Sequence, residues 1–128
     1  MICPGTITGS TVGATTDGSS TCTQFETGNK DVWFAYTPAS DGTVTIDTCD
    51  GFWSNRLSVH TGCPGTSVNQ IVCNRYACQG LTMVTFSATA GERYLIRITG
   101  FNDNEIEYTL RLVGPPCDPG DPVTPGDL

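Results

Sequence analysis

Short runs rich in Val, Ile, Thr, Tyr and Phe recur along the chain, each bounded by Gly, Pro, Asp or Asn, and helix signals are almost absent. We place strands near residues 6–12, 31–37, 42–48, 56–61, 69–73, 82–88, 93–99 and 107–113. Val44 and Ile46 alternate with Thr43 and Thr45, and Tyr108, Leu110 and Leu112 alternate with Thr109 and Arg111, so each of these strands has a dry and a wet face. The run Asp31-Val32-Trp33-Phe34-Ala35-Tyr36 is apolar on both faces, which predicts a central strand buried on one side and overlaid by loops on the other. Asp41-Gly42 and Ala90-Gly91 supply turn residues, and Pro38 removes a ladder donor at a strand end. About eight such strands leave no room for crossover helices. They predict an all-β, two-sheet antiparallel sandwich of jelly-roll or Greek-key type.

A chain of 128 residues is enough for one such unit, and we assign residues 1–113 to the sandwich. Residues 114–128, GPPCDPGDPVTPGDL, hold five prolines and few apolar side chains, and read as a linker or tail. Charged residues are only 15% of the chain, against about 25% in ordinary domains, so the surface is rich in hydroxyls. The net charge of −7, with six basic residues, excludes nucleic-acid binding, which needs clustered Lys and Arg. No apolar run approaches the roughly 20 residues of a membrane helix, so membrane insertion is not expected. The opening Met1-Ile2-Cys3-Pro4 lacks the parts of a signal peptide, and the chain is expected to be a domain excised from a larger exported protein.

Seven cysteines in so short a chain indicate an oxidising, extracellular compartment and a disulfide-braced fold. Zinc is the weaker reading. Cys73 and Cys78 are closely spaced, but no second close pair follows, and the single histidine, His60, lies near a lone Cys63. The expected bridges are Cys73 with Cys78, Cys22 with Cys49, and Cys63 with Cys117. Cys3 is then the odd thiol, available to another chain or segment.

Several phrases are specific in combination: Asp31-Val32-Trp33-Phe34-Ala35-Tyr36-Thr37-Pro38, Asp47-Thr48-Cys49, Leu57-Ser58-Val59-His60-Thr61-Gly62-Cys63-Pro64, and Val72-Cys73-Asn74 before Cys78. Ala90-Gly91-Glu92-Arg93-Tyr94-Leu95-Ile96-Arg97-Ile98, Gly100-Phe101-Asn102 and Tyr108-Thr109-Leu110 continue the series. Together they resemble the cysteine-bearing, planctomycete-type version of the bacterial pre-peptidase C-terminal (PPC) domain family, over residues 6–113. The resemblance implies a non-catalytic, jelly-roll-like module appended to secreted proteases and other exported proteins. Such modules are similar to clostridial collagen-binding domains and are associated with calcium, polymer adhesion or protein maturation. Their acidic loop residues are replaced here by Ser54-Asn55 before Arg56, and by Asn74-Arg75-Tyr76, so a metal site in those loops is not carried over.

The loops after Cys49 and Cys73 are expected at one end of the sandwich, which gathers Phe52, Trp53, Arg56, Arg75 and Tyr76 into a candidate ligand site. Flat aromatic faces stack on sugars or enter protein pockets, and Arg adds planar donors. The alternative for Phe52 and Trp53 is a cap on the core, and Trp33, in the most apolar run, reads as core or loop-covered sheet. In the Asn102-Asp103-Asn104-Glu105 turn, Asp103 and Glu105 are a weak calcium candidate beside the reading as a solvated turn; no other cofactor is expected. One histidine and no G-x-S-x-G signature argue against an enzyme. The expected function is therefore extracellular recognition or adhesion towards a polysaccharide or protein. The alternative is a fibre subunit that self-associates through its N-terminal segment or Pro-rich tail.

Overall fold

The strands form where period-two alternation lets one row of side chains leave water while the other stays in it. In the computed structural model, which describes residues 2–23, 28–49, 55–62, 65–74, 81–102 and 104–118, they are β1 (Gly5–Ser10), β2 (Asp31–Tyr36), β3 (Gly42–Asp47) and β4 (Asn55–His60). β5 (Gln70–Asn74), β6 (Met83–Ala88), β7 (Tyr94–Gly100) and β8 (Glu107–Val113) complete the set. A single 3-10 turn, Thr21–Thr23, is the only helical element among the described residues.

The strands build two four-stranded antiparallel sheets, in the orders β1-β8-β3-β6 and β2-β7-β4-β5. This is the jelly-roll order, in which β4 and β5 are the only sequential strands paired to each other among the described residues, while the other consecutive strands lie in opposite sheets. The core is the layer between the sheets. Val44 and Ile46 from β3, Val84 and Phe86 from β6, and Tyr108, Leu110 and Leu112 from β8 meet Leu57 and Val59 from β4 and Ile96 and Ile98 from β7. Each fully buried side chain of this kind contributes about 1.5–3 kcal/mol.

The placement of β2 differs from the expected central strand. It lies at the edge of its sheet and pairs only with β7 among the described strands. Its two apolar faces have separate causes. Val32, Phe34 and Tyr36 pack on the core, while the opposite face, bearing Asp31 and Trp33, lies beneath the segment that joins β1 to β2. The free edge is covered too, because Ile2 N–H donates to the Ala35 carbonyl (2.8 Å) and Asp31 N–H to the Thr15 carbonyl (3.0 Å).

The disulfides also differ from expectation. Cys3 pairs with Cys117 and Cys22 with Cys73, with Cα separations of 5.4 and 6.1 Å. Cys3 is thus not the odd thiol, and the expected Cys73–Cys78, Cys22–Cys49 and Cys63–Cys117 bridges do not form, because Cys22, Cys73 and Cys117 are committed elsewhere. The cause is the path of the β1–β2 segment, which crosses the outer face of the second sheet and delivers Cys22 to β5. Cys49 is disulfide-bonded as well; Cys63 and Cys78 lie outside the described residues.

The Pro-rich segment starts as part of the sandwich. Tyr36 Oη donates to the Pro115 carbonyl (2.6 Å), Ala39 N–H to Pro116 (2.8 Å), and Asp118 N–H to Thr37 (2.8 Å). With Cys3–Cys117, these bonds fasten both chain segments to the β2–β3 connection. Replacing Cys3 and Cys117 together by serine releases a loop spanning 114 positions. We expect a loss of about 3–5 kcal/mol in denaturant melts, and a loss well below about 1 kcal/mol would show that hydrogen bonds alone hold the segments.

Candidate functional site

The connections β1–β2, β3–β4, β5–β6 and β7–β8 all leave one end of the sandwich. A buried polar knot fixes that end. Thr48 Oγ1 and Thr82 Oγ1 both donate to Asn55 Oδ1 (2.9 and 3.0 Å), and Thr48 N–H donates to the Thr82 carbonyl (2.9 Å). It ties the strand ends of β3, β4 and β6 together, while Asn74 Nδ2 secures the end of β5 to the Met83 carbonyl (3.0 Å). The segments carrying Phe52, Trp53, Arg75 and Tyr76 are therefore flanked by residues of this one end, although those four residues lie outside the described ones.

Arg56 is the described member of the expected ligand site. It is only 7% exposed, with its guanidinium 4.9 Å from the centroid of the Phe101 ring and Nη1 donating to the Asn55 carbonyl (3.1 Å). Its guanidinium thus backs the Phe101 ring. Phe101 itself is 43% exposed. Its backbone is held by Asn104 N–H donating to its carbonyl (3.1 Å), by Asn102 in the left-handed region (φ 51°), and by Asn29 Nδ2 donating to the Gly100 carbonyl (3.1 Å). A Cβ at position 100 would lie 2.6 Å from the Asn104 carbonyl oxygen, so this turn requires glycine. The result is a partly exposed aromatic residue on a tight turn, its ring backed by a buried cation. Sequence reasoning did not select Phe101; its flanks, Gly100 and Asn102, were the signal that the ring sits on a tight turn.

In the expected calcium turn, Asp103 lies outside the described residues. Glu105 accepts from Gly13 N–H (2.8 Å) and sits 3.7 Å from Lys30 Nζ. Among the described residues no group of three or more His, Cys, Asp or Glu side chains is disposed to hold a metal.

A second polar assembly lies on the outer face of the β2-β7-β4-β5 sheet. Trp33, Arg97, Ser58 and Cys73 follow one another across the strands in register. Residues 14–23 run over them as a cover. Ser19 N–H donates to Gly65 (2.8 Å), Thr21 and Gln70 exchange two bonds of 2.9 Å, and Cys22–Cys73 locks the far side. Gly18 and Gly65 touch the Trp33 ring so closely that a Cβ at either would collide with it. Underneath, Arg97 Nε donates to Asp31 Oδ2 (2.7 Å) and Nη2 to the Gly18 carbonyl (3.0 Å), while Asp17 N–H donates to the Asp31 carboxylate (3.0 Å).

His60 is fully buried in the same layer. Asn69 Oδ1 accepts from Thr66 N–H (2.8 Å), so it is an oxygen that faces His60 Nδ1 at 3.0 Å, and the Thr66 carbonyl lies 3.2 Å from the same nitrogen. With two acceptors in front of it, Nδ1 carries the proton. Nε2 then accepts from the Ser58 hydroxyl (2.8 Å). This connectivity is that of a nucleophile, base and orienting amide. Ser58, however, is only 2% exposed beneath the cover, so its hydroxyl is not presented to a substrate. The trio braces the β4–β5 hairpin.

With the fold and this geometry in view, comparison with known families is decisive for one point. Residues 3–112 match a T9SS-associated family described as galactose binding domain-like. The chain belongs to that family. No curated protein matches it. A T9SS-associated, galactose-binding-domain-like sandwich with disulfides points to an extracellular or cell-surface protein.

Burial lowers the His60 pKa below its ordinary 6.5, with the Asn69 and Thr66 hydrogen bonds opposing that shift and the Arg97 charge adding to it. The unfolded chain therefore binds the proton first as pH falls. His60 contributes stability that is complete above the unfolded value and is lost as pH drops through it. Because this is the only histidine, we expect unfolding free energy to decline as pH falls below about 6.5, with a slope that cannot exceed about 1.4 kcal/mol per unit for this one group. Urea melts at several pH values read that slope; a flat profile would show that the folded and unfolded proton affinities match.

Proposed function

We propose that this domain is a non-catalytic, extracellular recognition module that takes a carbohydrate at the loop end of the sandwich, with Phe101 as the stacking platform. The observation that carries the reading is Phe101, a residue 43% exposed whose ring is backed by the guanidinium of the buried Arg56. An ordered aromatic plane at a fixed height above a domain end can take the apolar face of a sugar ring with little ordering cost. The family description, galactose binding domain-like, supports the ligand class. The strand phrases similar to PPC domains support a module appended to a larger exported protein. Phe52, Trp53, Arg75 and Tyr76 extend the platform in this reading, since their segments are flanked by residues of the same end. The reading does not call on calcium; Glu105 accepts from Gly13 N–H and lies beside Lys30.

Fibre assembly is the second reading, and the described parts of both segments are engaged within one sandwich. Cys3–Cys117 and the hydrogen bonds of residues 115–118 spend the N-terminal segment and the start of the tail within one sandwich.

The test is retention on a glycan array that includes galactose-terminated oligosaccharides and on insoluble polysaccharides. Phe101→Ala should weaken retention about tenfold or more while shifting Tm by only a few degrees, and Phe101→Trp should retain binding. Trp53→Ala and Tyr76→Ala should weaken it further. Unchanged retention by Phe101→Ala removes the ring from the site. No retention of the wild type on any glycan defeats the carbohydrate reading itself.

A further inference from the structure

The covered polar layer leaves two strong donors without an acceptor among the described residues. Arg97 has a side chain only 1% exposed, and with Nε on Asp31 and Nη2 on Gly18, its Nη1 has no such partner. Trp33 Nε1 is likewise buried and unpartnered among the described residues. The two residues are direct cross-strand neighbours, and Ser58 stands opposite Arg97 on its other side, so all three side chains rise from one row of the same face. Leaving a buried donor unsatisfied costs about 1–3 kcal/mol, and more when it is charged. Two such donors on neighbouring residues of one covered face call for an acceptor, and a single group between them serves both.

We propose that Arg97 Nη1, Trp33 Nε1 and Ser58 Oγ form a closed binding site for one neutral oxygen ligand, an internal water. The chemistry of the three groups selects it. Ser58 gives its hydrogen to His60 Nε2, which leaves lone pairs on Oγ. The row thus offers two donors and one acceptor. A water accepts from Arg97 and Trp33 and donates to Ser58, making the three bonds typical of a buried water.

An anion fits the donors but not the charge. Asp31 already neutralises Arg97 at 2.7 Å, so a second negative charge would be buried without compensation. A cation is repelled by the guanidinium. Exchange with larger ligands is blocked by the cover, which Cys22–Cys73 and the Thr21–Gln70 pair hold shut. The water completes one polar chain from Asp31 through Arg97 to Ser58, His60 and Asn69, across β2, β7, β4 and the β4–β5 connection. This site is independent of the carbohydrate reading.

The wild-type domain tests it by heteronuclear NMR. The indole Hε1 of Trp33, assigned by comparison with Trp53→Phe, should give a direct cross-peak to water with the sign of a long-lived bound molecule, while exchanging slowly itself. Ser58→Ala, with its fold checked by the amide spectrum, should weaken that cross-peak. Chloride and bromide titrations should leave the indole shift in place. A protected Hε1 with no water cross-peak, or a saturable halide shift that reveals an anion, overturns the proposal. An unchanged cross-peak in Ser58→Ala overturns the three-bond site.

Discussion

The buried ion pair between Asp31 and Arg97 is the interaction on which the second sheet depends. Such a pair is a weak source of net stability, because both charges lose their water, but removing either partner strands the other in a dry layer. Its position matters more than its energy. Asp31 begins the edge strand β2, Arg97 lies on the central strand β7, and the same two side chains bind Asp17 and Gly18 of the cover. One pair therefore sets the entry of β2 into the sheet and the path of the segment lying over it. That path delivers Cys22 to Cys73, seals Ser58 and His60 from solvent and buries the indole nitrogen of Trp33.

The two ends of the sandwich are built differently. At one, Cys3–Cys117 and the backbone bonds of residues 115–118 close the chain on itself. The other end gathers the connections that bear aromatic and basic residues, on strand ends tied by Thr48, Asn55 and Thr82. A buried polar knot of this kind fixes the strand ends from which those connections leave. Phe101 shows the principle on the smallest scale, with a glycine-dependent turn above and a buried cation behind.

The polar layer also shows why a catalytic connectivity is not by itself a catalytic site. Ser58, His60 and Asn69 have the bond order of a hydrolytic relay, yet two of them are adjacent same-face residues of one strand under a disulfide-locked cover. The same bonds that would activate a nucleophile here satisfy buried polar atoms.

The strands, their alternation and the sandwich class were legible in the amino-acid order, because side chains alternate by local backbone geometry. Val44, Ile46, Leu110 and Leu112 could be assigned to the core for that reason. The double apolar character of β2 was visible, but its edge position was not, since a face covered by a loop and a face covered by a sheet leave the same mark on composition. The contact between Arg56 and Phe101 was not legible, because it joins the start of β4 to the turn after β7 across two strands that pair only in the folded sheet. Cysteine number and spacing determined an oxidised, braced domain. Which cysteines meet was decided only by tertiary structure, because pairing depends on where the β1–β2 segment runs. That path is set by long-range bonds from Asp31 and Arg97, which lie 66 positions apart.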